Sequence, residues 1–167
     1  MLFPSDLLDE INLKIIDILS RDASRPFVEI AKELEISDAT VHIRVRRLTA
    51  AGIIRKFTIA TDNRLLGYDH LAFMGINITE GSTDEVTALL SKLEEVLEIH
   101  EMHGRFDLML KIRVRNLEEM RDTVVNKIRK LAQIRDAELM AVLKTVKEEQ
   151  SVSLKKDISG KMGAAVI

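Results

Sequence analysis

The sequence has no cysteine. Disulfides, thiolate nucleophiles and cysteine-ligated zinc are therefore excluded. No apolar run approaches the length of a membrane span. The opening stretch "MLFPSDLLDE" has no basic flank and turns acidic at once, so it does not read as a signal peptide. A cytoplasmic protein is expected. Glycine is sparse, at seven residues, and no glycine-rich loop suited to cradling phosphate stands out. No Ser-His-Asp logic and no paired-carboxylate constellation is visible either. An enzyme is not expected, nor a cofactor or a metal.

What is present is a core-forming composition with a lopsided charge. Hydrophobic residues make up 46% and charged residues 31% of 167 residues, as in a soluble globular chain of one or two domains. The formal net charge is only -2. Residues 1–36 carry eight acids against four bases, whereas residues 37–56 carry Arg44, Arg46, Arg47, Arg55 and Lys56 against Asp38 alone. A concentrated basic patch bears on polyanion binding more than the total charge does.

The first third reads as three helices. "LDEINLKIIDILS" places Leu8, Ile11, Ile15, Ile18 and Leu19 at helical spacing, with Asp9 as N-cap. "SRPFVEIAKEL" starts with Pro26 and has an apolar face of Val28, Ile30, Ala31 and Leu34. Ser37 caps a third helix over about 38–50, which Gly52 ends. "IIRKFTIAT", rich in β-branched residues, predicts a strand, and residues 61–67 a hinge.

From Tyr68 onward strands and helices alternate. "DHLAFMGINIT" reads as a strand and "STDEVTALLSKLEEV" as a helix. "LEIHEMH" and "DLMLKIRV" read as two strands joined at "GRF". "NLEEMRDTVVNKIRKL" is a helix with Leu117, Met120, Val124, Ile128 and Leu131 inward, and "RDAELMAVLKTV" a last strand. The order β-α-β-β-α-β is a ferredoxin-like plan, with an antiparallel sheet covered on one face by two helices. Apolar residues on the other face, such as Met109 and Met140, suggest a dimer. The expected organisation is α+β, with boundaries at 1–52, 53–67, 68–147 and a tail at 148–167 that is loosely ordered unless it docks on a partner.

Two segments are candidates for function. On a wheel of the third helix, Val41, Val45 and Leu48 turn inward. Ala39, Thr40, Ile43, Arg46 and Arg47 lie opposite, with His42 and Arg44 flanking. A solvated arginine face is the plain alternative. Against it stand the very short turn before the helix, the lack of acids beyond Asp38, and the exposed Ile43, which suits a thymine methyl. The second segment is Gly104-Arg105-Phe106-Asp107. Structurally it is a hairpin whose glycine can take positive φ. Functionally, its amides and the Asp107 carboxylate could hold an amine and a carboxylate. The residues alone favour the hairpin. His100 and His103 in "IHEMHG" are three apart, so on a strand they face opposite ways and do not share a metal.

Together, "LDEINLKIIDIL", "FVEIAKELEISDATVHIRVRRLTAAGIIRKFT", "LGY", "GRFD" and "VLKTVKE" resemble the Lrp/AsnC family of prokaryotic transcription regulators over about residues 8–148. The resemblance implies an N-terminal helix-turn-helix (winged-helix-like) DNA-binding domain, a hinge strand and a C-terminal ferredoxin-like effector and oligomerisation domain. It implies homodimers, often joined into an octamer of four dimers, and an amino-acid effector. Carried over by position, Thr40, His42, Ile43, Arg46 and Arg47 face double-stranded DNA and Ser37 caps. With the flanking Arg44 these form the expected DNA-binding set. The GxxD turn makes His103, Gly104, Arg105, Phe106 and Asp107 the expected effector-binding set. The chain departs from the usual pattern at Asn63, often proline, and at Met102 and His103, where many members carry a hydroxyl residue. Two other classes fit less of the sequence: a chromatin-like packager with little sequence preference, and an amino-acid-binding module without DNA binding.

Overall fold

The computed structural model describes residues 7–164, with side chains through Ser159. The N-terminal hexapeptide and the end of "GKMGAAVI" lie outside the described residues. The chain divides into two compact units, residues 1–60 with 148–167, and residues 61–147.

The first unit is helical. Helix α1 spans Glu10–Arg21, α2 Phe27–Glu33 and α3 Asp38–Ala50. Asp9 caps α1, its carboxylate accepting from the Asn12 amide at 2.7 Å. Ile15, Ile18 and Leu19 of α1 meet Ile30 and Ala31 of α2 and Val41 and Val45 of α3 in one buried cluster. Helix α2 ends with Leu34 as C-cap and Glu35 at φ 55. The Ile36 amide donates to the Ala31 carbonyl and the Glu35 amide to Lys32. This is the paired hydrogen-bond pattern in which a left-handed residue ends a helix, and it turns the chain abruptly into α3. Helix α3 ends in the same way at Gly52, φ 74, where the strain is absent.

The strand expected from "IIRKFTIAT" does not form within the chain. Residues 55–60 have no regular structure, and Phe57 and Ile59 are exposed. β-propensity alone does not make a strand; a ladder partner is required. The hinge is more ordered than expected. Asp62 accepts from the Arg64 and Leu65 amides, and Gly67 at φ 82 closes the turn before Tyr68.

The second unit contains β1 (His70–Ile78), α4 (Thr83–Leu90), β2 (Val96–Glu101), β3 (Leu108–Val114), α5 (Leu117–Arg121) and β4 (Ile134–Ala141). The sheet order is β2-β3-β1-β4, with every pair antiparallel. Strand alternation sends Ala72, Met74, Ile76 and Ile78 of β1, and Leu108, Leu110, Ile112 and Val114 of β3, into one core. Val86, Leu90, Met120, Val124 and Ile128 cover it from the helices. The ferredoxin-like expectation is met.

Helix α5 corrects one register. It runs directly into a π-helical stretch, Asp122–Ile128, where the Arg129 amide bonds the Val124 carbonyl. The wider turn adds Thr123 to the inward face that Met120, Val124 and Ile128 keep. Leu117, expected inside, is 72% exposed, and Thr123 is buried, its hydroxyl without a partner in the described residues.

The tail, expected to be loose unless docked, is helical where it meets α1. Residues Lys155–Ala164 form a helix, α6, that lies against α1.

Candidate nucleic-acid interface and effector turn

Ser37 starts α3. Its hydroxyl accepts from the Thr40 amide at 3.1 Å and lies 2.7 Å from the Thr40 hydroxyl. Burial of Val41, Val45 and Leu48 then fixes the helix rotation. Ile43 is left 54% exposed, and His42, Arg46 and Arg47 are exposed beside it. Among the described residues, neither Arg46 nor Arg47 has an ion pair or side-chain hydrogen bond. His42 sits edge-on to the Phe27 ring, with centroids 4.8 Å apart, and its Nε2 is 3.8 Å from Asp38. Thr40, Ile43, Arg44 and Arg47 border a shallow hollow of about 240 Å³.

Arg44 stands apart from the other arginines. Its guanidinium donates to the Asp9 carboxylate at 2.5 Å and to the Asn12 side-chain oxygen at 3.0 Å. Asn12 is almost wholly buried, and its amide donates to the Leu7 carbonyl. Arg44 therefore ties α3 to the start of α1. The expectation that α3 meets no acid beyond Asp38 is corrected by Asp9. A partner 35 residues away carries no local pattern in the sequence.

The GxxD turn is built differently from the sequence expectation. Gly104 does not have positive φ; among the described residues the positive-φ glycines are Gly52, Gly67 and Gly81. A Cβ at Gly104 would meet nothing within 4 Å. His103, Gly104 and Arg105 are exposed. Strand β2 ends at Glu101, so His103 lies in the turn rather than on the strand. His100 instead lies 3.1 Å from Glu98, which also accepts from Lys111 at 3.0 Å. Both partners, Lys111 first, hold the Glu98 carboxyl below its usual range.

Asp107 is anchored to β1. Its Oδ2 accepts from the Ile78 amide at 2.8 Å, while its own amide donates to the Ile76 carbonyl and the Asn77 side chain. The β1–β4 register shifts at this point: Asn77 pairs with Asp136 and Ile78 with Ile134. Arg135 is the extra residue, and its guanidinium lies 3.8 Å from Asp107. Phe106 folds back over Gly75, and Arg105 lies 5.0 Å from the Phe106 ring centroid and pairs with Glu138 at 2.6 Å. Sequence reading missed Gly75, Asn77 and Arg135. A glycine inside a strand was the one available signal, because it marks a close approach.

Comparison with known proteins agrees with this architecture. Residues 8–49 match the AsnC-type helix-turn-helix domain, and residues 71–152 match the Lrp/AsnC ligand binding domain. The HTH-type transcriptional regulator FL11 of Pyrococcus horikoshii is 38% identical over 148 residues, covering 89% of this chain and 97% of that protein. The structure of Escherichia coli AsnC superposes with a TM-score of 0.81 at 27% identity, covering 87% of this chain and 98% of AsnC. An L-methionine complex of a transcriptional regulator from Neisseria meningitidis shares the fold, with a TM-score of 0.83 at 22% identity over 89% of this chain and 98% of that one. Fold and helix-turn-helix unit together define a transcriptional regulator. The chain belongs to the Lrp/AsnC family.

Proposed function

We propose that the protein binds double-stranded DNA sequence-specifically through the outward face of α3, and that a small amino acid or related effector modulates this at the 103–107 turn. The observation that carries the DNA reading is the exposure of Arg46 and Arg47, unpaired among the described residues, beside an exposed Ile43. Guanidinium groups without internal partners suit phosphates or guanine edges, and an exposed aliphatic side chain suits a thymine methyl. Thr40 and His42 complete the contacting set, and Ser37 orients it. Arg44 acts within the protein, as the brace between α3 and α1.

The effector reading draws on the polar groups around Asp107 and on the methionine complex of a protein of the same fold. The Asp107 carboxylate suits an ammonium, Arg135 suits a carboxylate, and open space at Gly104 admits the ligand backbone. The working form is a homodimer or an octamer of four dimers, joined partly through the sheet face that carries Phe73, Met109 and Met140. We place the protein in the cytoplasm, on the nucleoid, acting as a regulator rather than a catalyst. Among the described residues, no helix is long and apolar enough to cross a membrane.

Anisotropy titrations with promoter DNA and random DNA at matched salt test the DNA reading. Tighter binding to the promoter is expected. Equal affinities would identify a packaging protein instead, and no salt-dependent binding would defeat DNA recognition altogether. Calorimetry with the twenty amino acids tests the effector reading, and no heat from assembled protein would defeat it.

A further inference from the structure

Helix α1 has two apolar sides. Ile11, Ile15, Ile18 and Leu19 face the three-helix core. Leu13 is about 200° round the helix from both Ile11 and Ile15, at roughly 100° per residue, so it points elsewhere. It is nevertheless only 6% exposed and does not belong to that core cluster. Ile16, on the same side, is half-buried.

The element that lies along α1 from outside the family match is α6. The match to the ligand binding domain ends at residue 152, before α6 begins at Lys155. Leu154 and Ile158 are half-buried, whereas Lys155, Lys156 and Asp157 between them are exposed. The two apolar residues are four apart, and the Ile158 amide donates to the Leu154 carbonyl, so they share one face. Chain ends of this kind stay ordered only when tied down.

We propose that the second apolar side of α1 is a docking surface whose occupant is the chain's own C-terminal helix. Residues 148–164 leave the sheet unit and return to the helical unit, so two chain crossings join the units, near 60–61 and near 147–148. The helix is thus a latch that fastens the DNA-binding unit by a second covalent route. Releasing it leaves a head hung on one crossing, with a wider range of positions to lose on engaging two half-sites.

The test uses the full chain with Ile158→Glu, and Lys156→Ala as the exposed-face control. Hydrogen exchange around Leu13–Asp17 accelerates roughly tenfold or more in Ile158→Glu, the scale of losing one large apolar burial. Trypsin cuts after Lys155 faster in Ile158→Glu, whereas the control, which lacks the Lys156 site, matches wild type in exchange and in cleavage after Lys155. A chain ending at Glu149 shows the same exchange, and adding a peptide of residues 150–167 restores protection. Should the shortened chain not fold, the point variant decides alone. Unchanged exchange and cleavage in Ile158→Glu would overturn the proposal. Protection in the wild type that falls on dilution would overturn its intramolecular form, because the helix would then come from a second copy.

The consequence for DNA rests on the function proposed above. Binding to a paired half-site weakens severalfold in Ile158→Glu, while binding to one half-site is unchanged. Absence of DNA binding by the wild type would defeat that function and leave the docking result standing.

Discussion

The ring of Phe106 occupies the space that a side chain at Gly75 would need. A Cβ built on Gly75 would come 2.4 to 2.6 Å from three ring carbons, closer than real Cβ contacts. Phe106 is one residue from Asp107, whose carboxylate is fixed to the Ile78 amide three residues along β1 from Gly75. The glycine therefore sets the seat of the whole turn.

Gly75→Ala should displace the ring. Overpacking typically costs ~1–3 kcal/mol, and the strand preference of alanine over glycine returns up to about 1 kcal/mol of it. A net loss on the order of 1 kcal/mol is expected in denaturant unfolding, with weaker effector binding. Combining it with Phe106→Leu should recover part of the stability. Full additivity of the two changes would contradict the contact.

Glu35→Gly should stabilise the helical unit by about 1 kcal/mol, since Glu35 has φ 55 and a side chain there costs roughly 1–2 kcal/mol. Thermal unfolding checks this. A destabilised glycine variant would mean that the Glu35 side chain contributes more than its backbone costs.

The Lys127 ammonium, hydrogen-bonded to Glu95, holds the Glu95 carboxyl below its ordinary value of 4.5. A folded-state pKa below the unfolded one adds stability at pH above about 4.5, lost as pH falls through the folded value. Wild type should therefore exceed Lys127→Met in stability at pH 7, with the difference shrinking on the acid side. A difference constant down to pH 3 would contradict the pairing.

The parts legible in the sequence share one physical basis. Alternation in "DLMLKIRV" and the 3.6 period of "ATVHIRVRRL" are local, so β3 and the rotation of α3 could be read directly. What was missed depends on contacts distant in sequence or on departures from ideal period. Arg44 finds Asp9 35 residues away. Arg135 reaches Asp107 because β4 carries an extra residue at that point. The π-helical turn brings Thr123 inward beside Val124, and Leu117, the first residue of α5, is exposed. The 53–61 segment has strand propensity but no ladder within the chain, and α6 was hidden by a polar start and a short apolar spacing.

The division of labour among three neighbouring arginines is the central claim, and salt dependence measures it. Changing Arg46 and Arg47 both to Ala should lower the slope of log affinity against log salt by about 2, at ~0.9 per phosphate contact, without lowering the melting temperature. Arg44→Ala should do the reverse. It should cost on the order of 1 kcal/mol of stability through the lost Asp9 and Asn12 contacts and leave the slope in place. An unchanged slope in the double variant, or a slope lost in Arg44→Ala alone, would contradict the account.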